Sequence, residues 1–157
     1  MNDEELYNEY LERLRLKIIA KYNELGLRAS GRFEQELETE VKGNKMILWG
    51  AFHSIFMEKG RGSGGFPPRQ AIEEWIENKK GLPMVFKEKK TQFAYIIARK
   101  IAERGITVPN EFNKGEVVSA VVEDFLAKDL QEMLDKLGII FLKRMRTDIV
   151  GILKQAA

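Results

Sequence analysis

The chain has 157 residues, of which 44% are hydrophobic and 32% are charged, and its formal net charge is +2. This length is typical of one domain, and the composition is that of a soluble globular protein rather than a disordered one. The net charge is too small to predict nucleic-acid binding over the whole surface, although local basic patches stay open.

Several classes of site and segment are excluded by residue counts. The chain has no cysteine, which excludes disulfides, thiolate metal sites and a cysteine nucleophile. A single histidine, His53, excludes multi-histidine metal sites within one chain. No apolar run approaches the ~20 residues of a membrane span, and the acidic N-terminus lacks the apolar core of a secretory signal. We therefore expect neither a membrane-spanning nor a secretory segment.

The N-terminal part of the sequence predicts a helix followed by a β-hairpin. Residues 3–26 carry an apolar stripe at helical spacing and end on a glycine. Residues 32–42 change to period two, which predicts a strand even though glutamate is a weak strand former. Gly43-Asn44 is a turn signal, and residues 45–49 are predicted to form the return strand.

The remainder of the chain is predicted to be mainly helical, because its apolar residues recur three and four positions apart. The predicted segments are, in order, a short helix 51–59 ending at Gly60, a loop 61–66, a helix entered through Pro67-Pro68 and stopped by Gly81, a basic loop 82–90, a helix 91–104 ending at Gly105, a loop 106–115 and a helical run from Glu116 to the end. Gly138 leaves open whether that last run is two helices or one bent helix.

The predicted fold class is α+β in a single domain, residues 1–157, with helices packed on one face of a small antiparallel sheet. A two-stranded sheet has little area to cover so many apolar helical positions, and a hairpin alone is marginal in water. We therefore expect part of the C-terminal apolar stripe to be buried against other subunits.

Residues 58–76, EKGRGSGGFPPRQAIEEWI, contain a glycine-rich loop with two interpretations. Gly60, Gly62 and Gly65 match the G-x-G-x-x-G spacing of a dinucleotide-binding loop, and a helix follows. However, the preceding segment is predicted to be helical, whereas that fingerprint follows a buried parallel strand. Pro67 and Pro68 also remove two N–H donors from the place where a phosphate would bind. The sequence therefore favours a structural loop that leads into a helix.

Two other candidate sites also have simpler structural interpretations. His53 is a candidate general base, but it lies beside apolar residues and no nucleophile motif is near it. Alternating glutamates on one strand face would lie roughly 6.6–7 Å apart, too far for compact metal coordination by one strand. A solvated face is favoured, and an acidic face that meets a basic neighbour is the second interpretation. These glutamates are Glu34, Glu36, Glu38 and Glu40.

Lysines of the predicted basic loop are candidates for non-specific contact with DNA. They are Lys87, Lys89 and Lys90, and the C-terminal run adds Lys143, Arg144 and Arg146. Few aromatic residues lie close to them in sequence, so base stacking has little support, and solvated lysines are the favoured interpretation.

Two blocks of the sequence resemble the tail-completion and neck proteins of tailed bacteriophages, which include head–tail joining and minor tail morphogenesis proteins. The first is FMEKGRGSGGFPPRQAIEEWIENKKG, residues 56–81, and the second is AYIIARKIAERGI, residues 94–106. The family pattern is an aromatic segment, E-x-G-R with glycines, P-P, a helix with W-I, then K and G, followed later by I-A-R-x-I-x-x-x-G. The matching residues are Glu58, Gly60, Arg61, Pro67, Pro68, Ile72, Trp75, Ile76, Lys79 and Gly81, then Ile97, Ala98, Arg99, Ile101 and Gly105.

The resemblance covers roughly residues 27–106, and LRASGRFEQELE at 27–38 resembles the family's passage from first helix to strand. Residues 1–26 then form an N-terminal helix and residues 107–157 a C-terminal helical segment, which agree with the family only in type. The family often has a tyrosine in the aromatic segment where this chain has Phe52-His53, which puts contacts made by that tyrosine in doubt.

The resemblance implies a virion structural protein that is not an enzyme and has no cofactor, metal or membrane contact. It implies a ring-forming homo-oligomer at the head–tail junction, assembled in the bacterial cytoplasm, with neck, portal or tail proteins as partners. The candidate interface and loop residues are Glu58, Gly60, Arg61, Gly62, Gly64, Gly65, Phe66, Pro67, Pro68 and Trp75. We expect Glu58 and Arg61 to hold the base of the loop, either by contacting each other or by bonding to backbone.

Two functions from other classes stay open at this point. One is a nucleotide- or nucleic-acid-binding module that uses the glycine loop and the lysine-rich loop. The other, with less support, is a hydrolase that uses His53.

Overall fold

The computed structural model describes residues 2–155, and within them the chain forms eight helices and one two-stranded antiparallel sheet. This mixed architecture confirms the predicted α+β class, including the long C-terminal helix. The elements are α1 (Asp3–Glu24), α2 (Arg32–Gln35), β1 (Glu38–Lys42), β2 (Lys45–Trp49), α3 (Ser54–Lys59), α4 (Arg69–Asn78), α5 (Met84–Glu88), α6 (Lys90–Arg104), α7 (Ser119–Ala127) and α8 (Asp129–Gln155). Among these residues, every helix is too short or too polar to span a bilayer.

Helix α1 is the central element, because the hairpin, α7 and α8 all pack against it. It begins with a capping box, in which Asn2 Oδ1 accepts a hydrogen bond from the Glu5 N–H and Glu5 Oε2 accepts one from the Asn2 N–H, each at 2.8 Å. Its apolar side chains lie on a stripe that is buried along the whole helix. The buried residues are Leu6, Tyr10, Leu11, Ile18 and Tyr22.

The core consists of two clusters along α1, joined by Leu14, which packs against both. One cluster lies toward the C-terminal end of α1 and contains Ile18, Tyr22, Phe33, Leu37 and Val117. The other lies toward its N-terminal end and contains Leu6, Tyr10, Phe125 and Met133. Helices α4, α5 and α6 pack mainly on one another. The helix that covers the sheet is therefore α1.

The predicted strand over residues 32–42 is wrong in its first half, since residues 32–35 form the helical turn α2. Phe33 and Leu37 are both buried, and their spacing of four fits one face of a helix as well as one face of a strand. The low strand propensity of glutamate therefore prevails before residue 38. Only Glu38 and Glu40 lie in β1, so the predicted row of four glutamates on one strand does not exist.

Two further predictions are corrected in the second half of the chain. The predicted loop 82–90 contains α5, which begins directly after Pro83, a residue with a φ of −56° that suits a helix start. Its Phe86 ring stacks on Phe93 of α6 at 4.2 Å. The C-terminal run is two helices, but the break falls at Lys128, and Gly138 lies within α8.

A buried carboxylate fixes the place of that break. Asp129, the first residue of α8, is only 6% exposed and accepts hydrogen bonds from Lys17 Nζ at 2.5 Å and Arg13 Nη1 at 3.2 Å. Burial opposes its ionisation, but the hydrogen bonds from Lys17 and Arg13 outweigh burial and hold the pKa of Asp129 below its usual value. The start of α8 is thereby attached to the middle of α1.

We expect Asp129→Ala to lower the free energy of unfolding by about 1–3 kcal/mol, because two cations lose their buried acceptor. Since the folded-state pKa of Asp129 is lowered, its contribution is present above the unfolded pKa of about 3.9 and is lost as the pH falls through the folded value. Urea unfolding at pH 7 and near pH 3 measures both effects. Asp148→Ala, at an exposed position of the same helix, is the control and should change stability by less than about 0.5 kcal/mol.

Candidate interaction site at the glycine loop

The base of the glycine loop is a crossing of two chain segments. The loop enters at Gly60, after α3, and its Arg61 forms an isolated antiparallel bridge with Ile106, which follows α6. The Arg61 N–H donates to the Ile106 carbonyl at 2.8 Å, and the Ile106 N–H donates to the Arg61 carbonyl at 2.7 Å. The backbones approach so closely that only glycine fits on either side. A Cβ on Gly60 would lie 2.1 Å from the Ile106 oxygen, and one on Gly105 would lie 2.2 Å from the Arg61 oxygen.

The Glu58 carboxylate ties this crossing to α7. Helix α7 has no side-chain cap from its own N-cap residue. Instead Glu58 accepts hydrogen bonds from the backbone N–H groups of Val117 at 2.7 Å, Val118 at 3.1 Å and Ser119 at 2.6 Å. Burial opposes the ionisation of Glu58, yet these hydrogen bonds prevail and lower its pKa. A carboxylate at this point also interacts favourably with the helix dipole.

Arg61 closes the loop from the other side. Its Nη2 donates to the carbonyl oxygen of Gly65 at 2.6 Å, which links the first and last parts of the loop. Both Glu58 and Arg61 therefore bond to backbone, and no hydrogen bond or ion pair between these two described side chains is formed. Of the two arrangements that the sequence left open, the structure has the second.

The tip of the loop faces solvent. Residues 62–66 are all exposed, and Gly64 is held by its N–H, which donates to the Ala102 carbonyl of α6 at 2.8 Å. The Phe66 ring stacks on Tyr95 of α6, with 6.2 Å between ring centroids, and remains 56% exposed. Pro67 and Pro68 then lead into α4, on which Trp75 is also partly exposed. The result is an exposed tip on a fixed base.

This geometry does not resemble a phosphate cradle. The N–H groups of Arg61 and Gly64 are already donated to carbonyls within the protein, and Pro67 and Pro68 have none to offer. A phosphate loop needs several free N–H groups that point toward the ligand at a helix N-terminus.

The three candidate lysines lie outside the loop. Lys87 belongs to α5, Lys89 follows that helix, and Lys90 begins α6. The glycine part of the loop contacts α6 through Gly64 at Ala102, which is about 18 Å along the helix from Lys90 at 1.5 Å per residue, whereas Phe66 at the end of the loop contacts Tyr95, about 7.5 Å from Lys90. Lys90 also forms an ion pair with Glu77 at 2.9 Å. The structure therefore does not join the lysines and the glycines into one site.

His53 is exposed and immediately precedes α3. Among the residues that the structure describes, no group of three or more histidine, aspartate or glutamate side chains is arranged to hold a metal ion.

Sequence reasoning missed the residues that brace the loop from outside it. Gly105 was interpreted as a helix stop and as a match to the family pattern, but not as a residue of the crossing, and the hydrogen bonds from the N–H groups of Val117–Ser119 to Glu58 were not predicted. Asn113 was also missed, and its Nδ2 donates to the Met57 carbonyl at 2.8 Å. The sequence did contain a signal for Gly105, because each of the two resemblance blocks has a glycine among its matching residues next to the bridge, Gly60 in the first and Gly105 in the second. No local pattern pointed to Asn113 or to the start of α7.

No protein-family model, curated protein or solved structure matches the chain. The likeness to phage neck proteins therefore depends on the sequence resemblance alone, over the two blocks and residues 27–38.

Matched glycine substitutions test whether the crossing fixes the loop. We expect Gly60→Ala to destabilise the protein by at least about 1–3 kcal/mol, because its φ is +78° and the new methyl group would collide with backbone. Gly62→Ala, where nothing lies within 4 Å of the new Cβ and the φ is not positive, should be within about 0.5 kcal/mol of the wild type. Chemical denaturation measures both, and equal losses would contradict the crossing.

A second substitution tests the cap on α7. Glu58→Ala should cost about 0.5–2 kcal/mol at pH 7, the usual range for loss of a helix cap. Because the folded-state pKa of Glu58 is lowered, the gap between wild type and variant should persist above the unfolded pKa of about 4.3 and close as the pH falls through the folded value. Glu88→Ala, at an exposed glutamate, is the control. A gap that does not vary with pH would show that the carboxylate charge is not involved.

Proposed function

We propose that this chain is a structural protein of a tailed phage or prophage that forms part of an oligomeric ring at the junction of head and tail. The proposed role is assembly without catalysis, and the glycine loop is the proposed contact with a neighbouring subunit or virion protein.

The observation that carries the proposal is the meeting of the two sequence blocks that resemble the family. They are separated in sequence, yet they join at the bridge between Arg61 and Ile106. Matching residues have identifiable tasks there: Gly60 and Gly105 permit the close approach, and Glu58 caps α7. Part of the shared pattern thus corresponds to one structural unit, the braced loop, while other matching residues, such as Ile76 and Ala98, are buried on α4 and α6.

The loop has the features of an interaction element. Its base is held by hydrogen bonds on both sides, so docking would cost little ordering entropy. Its tip has small residues, which permit close approach of another chain, and the exposed Phe66 can serve as an apolar anchor. A loop that enters a different surface of the next subunit makes a head-to-tail contact, and rings are built from such contacts.

The two alternatives have less support from the geometry. Against the nucleotide-binding alternative, the N–H groups of Arg61 and Gly64 are already donated within the protein, Pro67 and Pro68 have none, and Lys90 is paired with Glu77. The hydrolase alternative has only His53, which is exposed before α3.

Mass spectrometry of purified particles from a tailed phage or prophage that encodes this chain tests the proposal. We expect the chain in the particles at a fixed multiple-copy ratio to the portal protein, and we expect light scattering of the purified chain to give an oligomer, alone or with portal or tail-tube protein. Absence from virions, together with a strict monomer that binds neither partner, would contradict the proposal.

The role of the loop is tested in the same assay by a matched pair of phenylalanines. Phe66→Ser at the loop tip should leave the melting temperature near that of the wild type. It should reduce assembly or incorporation at least about tenfold, which corresponds to the loss of an intersubunit contact worth ~1.4 kcal/mol. Phe112→Ser, at an exposed phenylalanine of the 106–115 loop, is the control and should assemble normally.

A further inference from the structure

Helix α8 is longer than the helix that packs against it. Helices α1 and α8 run antiparallel, because Lys17 of α1 contacts Asp129 at the start of α8, whereas Asp3 at the start of α1 pairs with Arg144 at 2.9 Å. Residues 145–155 therefore extend roughly 16 Å beyond the end of α1, at 1.5 Å per residue. Nearly all of these residues are exposed.

Large apolar side chains recur on one side of the end of α8, and we call them the α8 stripe. They follow one another at helical spacing, are 44–66% exposed and belong to neither core cluster. The α8 stripe consists of Leu142, Met145, Ile149, Ile152 and Leu153. It is an apolar helix face that no described element of the same chain covers.

The first half of α8 has an apolar groove in line with this stripe. The α1–α8 groove has a volume of about 400 Å³ and is lined by Asp3, Tyr7, Leu134, Leu137, Gly138 and Phe141. No described atom lies within 4 Å of the place where a Cβ on Gly138 would stand, so the groove is open there. Its charged member, Asp3, is already paired with Arg144. Leu134 and Gly138 precede Leu142 in steps of four, which puts groove and stripe on one side of the helix.

The protein exposes more surface than a compact monomer of its mass. A folded monomer of 18.1 kDa exposes about 8100 Å² by the usual scaling of area with mass, whereas this protein exposes 10990 Å². The surplus is roughly 2900 Å², and one partner of a stable interface buries about 800 Å². The exposed end of α8 is one source of this surplus, which is sufficient for more than one contact of that size.

We propose that two copies of this chain pair through α8, with the α8 stripe of each copy seated in the α1–α8 groove of the other. The stripe and the groove occupy opposite halves of one helix, so the two helices run antiparallel and the contact is two-fold. Both surfaces belong to the same chain, and each pairing fills two grooves at once.

The spacing of the residues sets the register of this pair. Ile149 of one copy lies opposite Gly138 of the other, where the missing side chain leaves room for it. The same register brings Leu153 opposite Leu134. The paired segment then extends over residues 134–153 of both copies, which is roughly 30 Å of helix.

Parallel pairing of the same faces is less favourable. It would place Gly138 of one copy opposite Gly138 of the other, and the two grooves would lie side by side without an apolar side chain to fill them. A void of this kind loses the packing contacts that a filled groove would have.

Charge does not decide this contact. The α8 stripe is bordered by Arg146 on one edge and by Asp148 on the other, while Lys143 and Lys154 lie on the far side of the helix. A second groove, on the other side of the α1–α8 pair, is lined in part by Lys136 and Lys143 and suits an apolar stripe less well. The pairing therefore depends on apolar burial and should persist when salt screens charges.

The pairing goes beyond the proposed function and does not depend on it. A two-fold contact uses the same surface on both copies and closes on itself, whereas a ring needs a head-to-tail contact. Phe66 of the glycine loop lies on neither the α8 stripe nor the α1–α8 groove, so Phe66→Ser should leave the pairing intact.

Two adjacent residues of α8 test the stripe. Ile149→Asp should raise the dissociation constant of the pair at least about tenfold, because it buries a charge in an apolar contact. Val150→Asp is the control and should pair like the wild type, since Val150 is 42% exposed and lies about 100° further round the helix. Sedimentation velocity over a range of concentrations, at low salt and at ~1 M salt, measures pairing. Circular dichroism melting checks that each variant is folded.

Two glycines of α8 test the groove. Gly138→Leu fills the groove and should also raise the dissociation constant at least about tenfold. Gly151→Leu, on another side of the helix, is the control and should pair like the wild type. Both variants should fold, because no described atom lies within 4 Å of either new Cβ and leucine is a better helix former than glycine.

Disulfide cross-linking tests the direction of the pair. The chain has no cysteine, so Leu134→Cys and Leu153→Cys each introduce a single thiol. The two variants are mixed with tags of different size, oxidised and separated on a non-reducing gel. The antiparallel pair should give disulfides between the two variants. It should give none between two copies of Leu153→Cys, whose positions lie about 28 Å apart along the helices.

Several outcomes would overturn the pairing. They are a wild type that stays monomeric at all concentrations, a pair that Ile149→Asp and Gly138→Leu leave intact, disulfides only between identical variants, and a pair that dissociates at ~1 M salt. A monomer that uses the α8 stripe to bind phosphatidylglycerol vesicles, or portal or tail-tube protein, would also overturn it. Pairing of a chain that is absent from virions would support the pairing and contradict the proposed function.

Discussion

The hydrogen bonds that the Glu58 carboxylate accepts from backbone N–H groups at the start of α7 are the constraint on which the arrangement of the site depends. They join the end of α3 to a helix that follows it by sixty residues, and they act beside the backbone bridge of Arg61 and Ile106. With both contacts in place, the glycine loop is fixed at its base while its tip stays in water. The energy of the arrangement comes from pairing N–H groups that would otherwise be unsatisfied at a helix start.

A second constraint acts at the other end of the chain. Asp129 is buried only because Lys17 and Arg13 supply its counter-charges, and this attachment sets where α7 ends and α8 begins. Beyond that point α8 continues as a regular helix, and its last four turns leave the core. Large apolar side chains there, among them Leu142, Ile152 and Leu153, are more than half exposed.

These two regions give the proposed function its physical basis. The braced loop lies where two sequence blocks that resemble phage neck proteins meet, and the end of α8 leaves a row of large apolar side chains exposed. The proposal places contact energy in exposed apolar side chains, such as Phe66, rather than in a catalytic group.

The sequence by itself determined the fold class, most helix positions, the return strand at 45–49 and the loop at 61–66, because helical spacing, glycine stops and proline starts are local signals. It failed at residues 32–37, where Phe33 and Leu37 fit two periodicities, and at the helix break, where Gly138 was a weaker cause than the buried Asp129. Only the tertiary structure decided what Glu58 binds, why Gly105 must be glycine and which apolar residues stay exposed. Those properties depend on contacts between segments that are distant in sequence, and local sequence patterns do not show which segments come into contact.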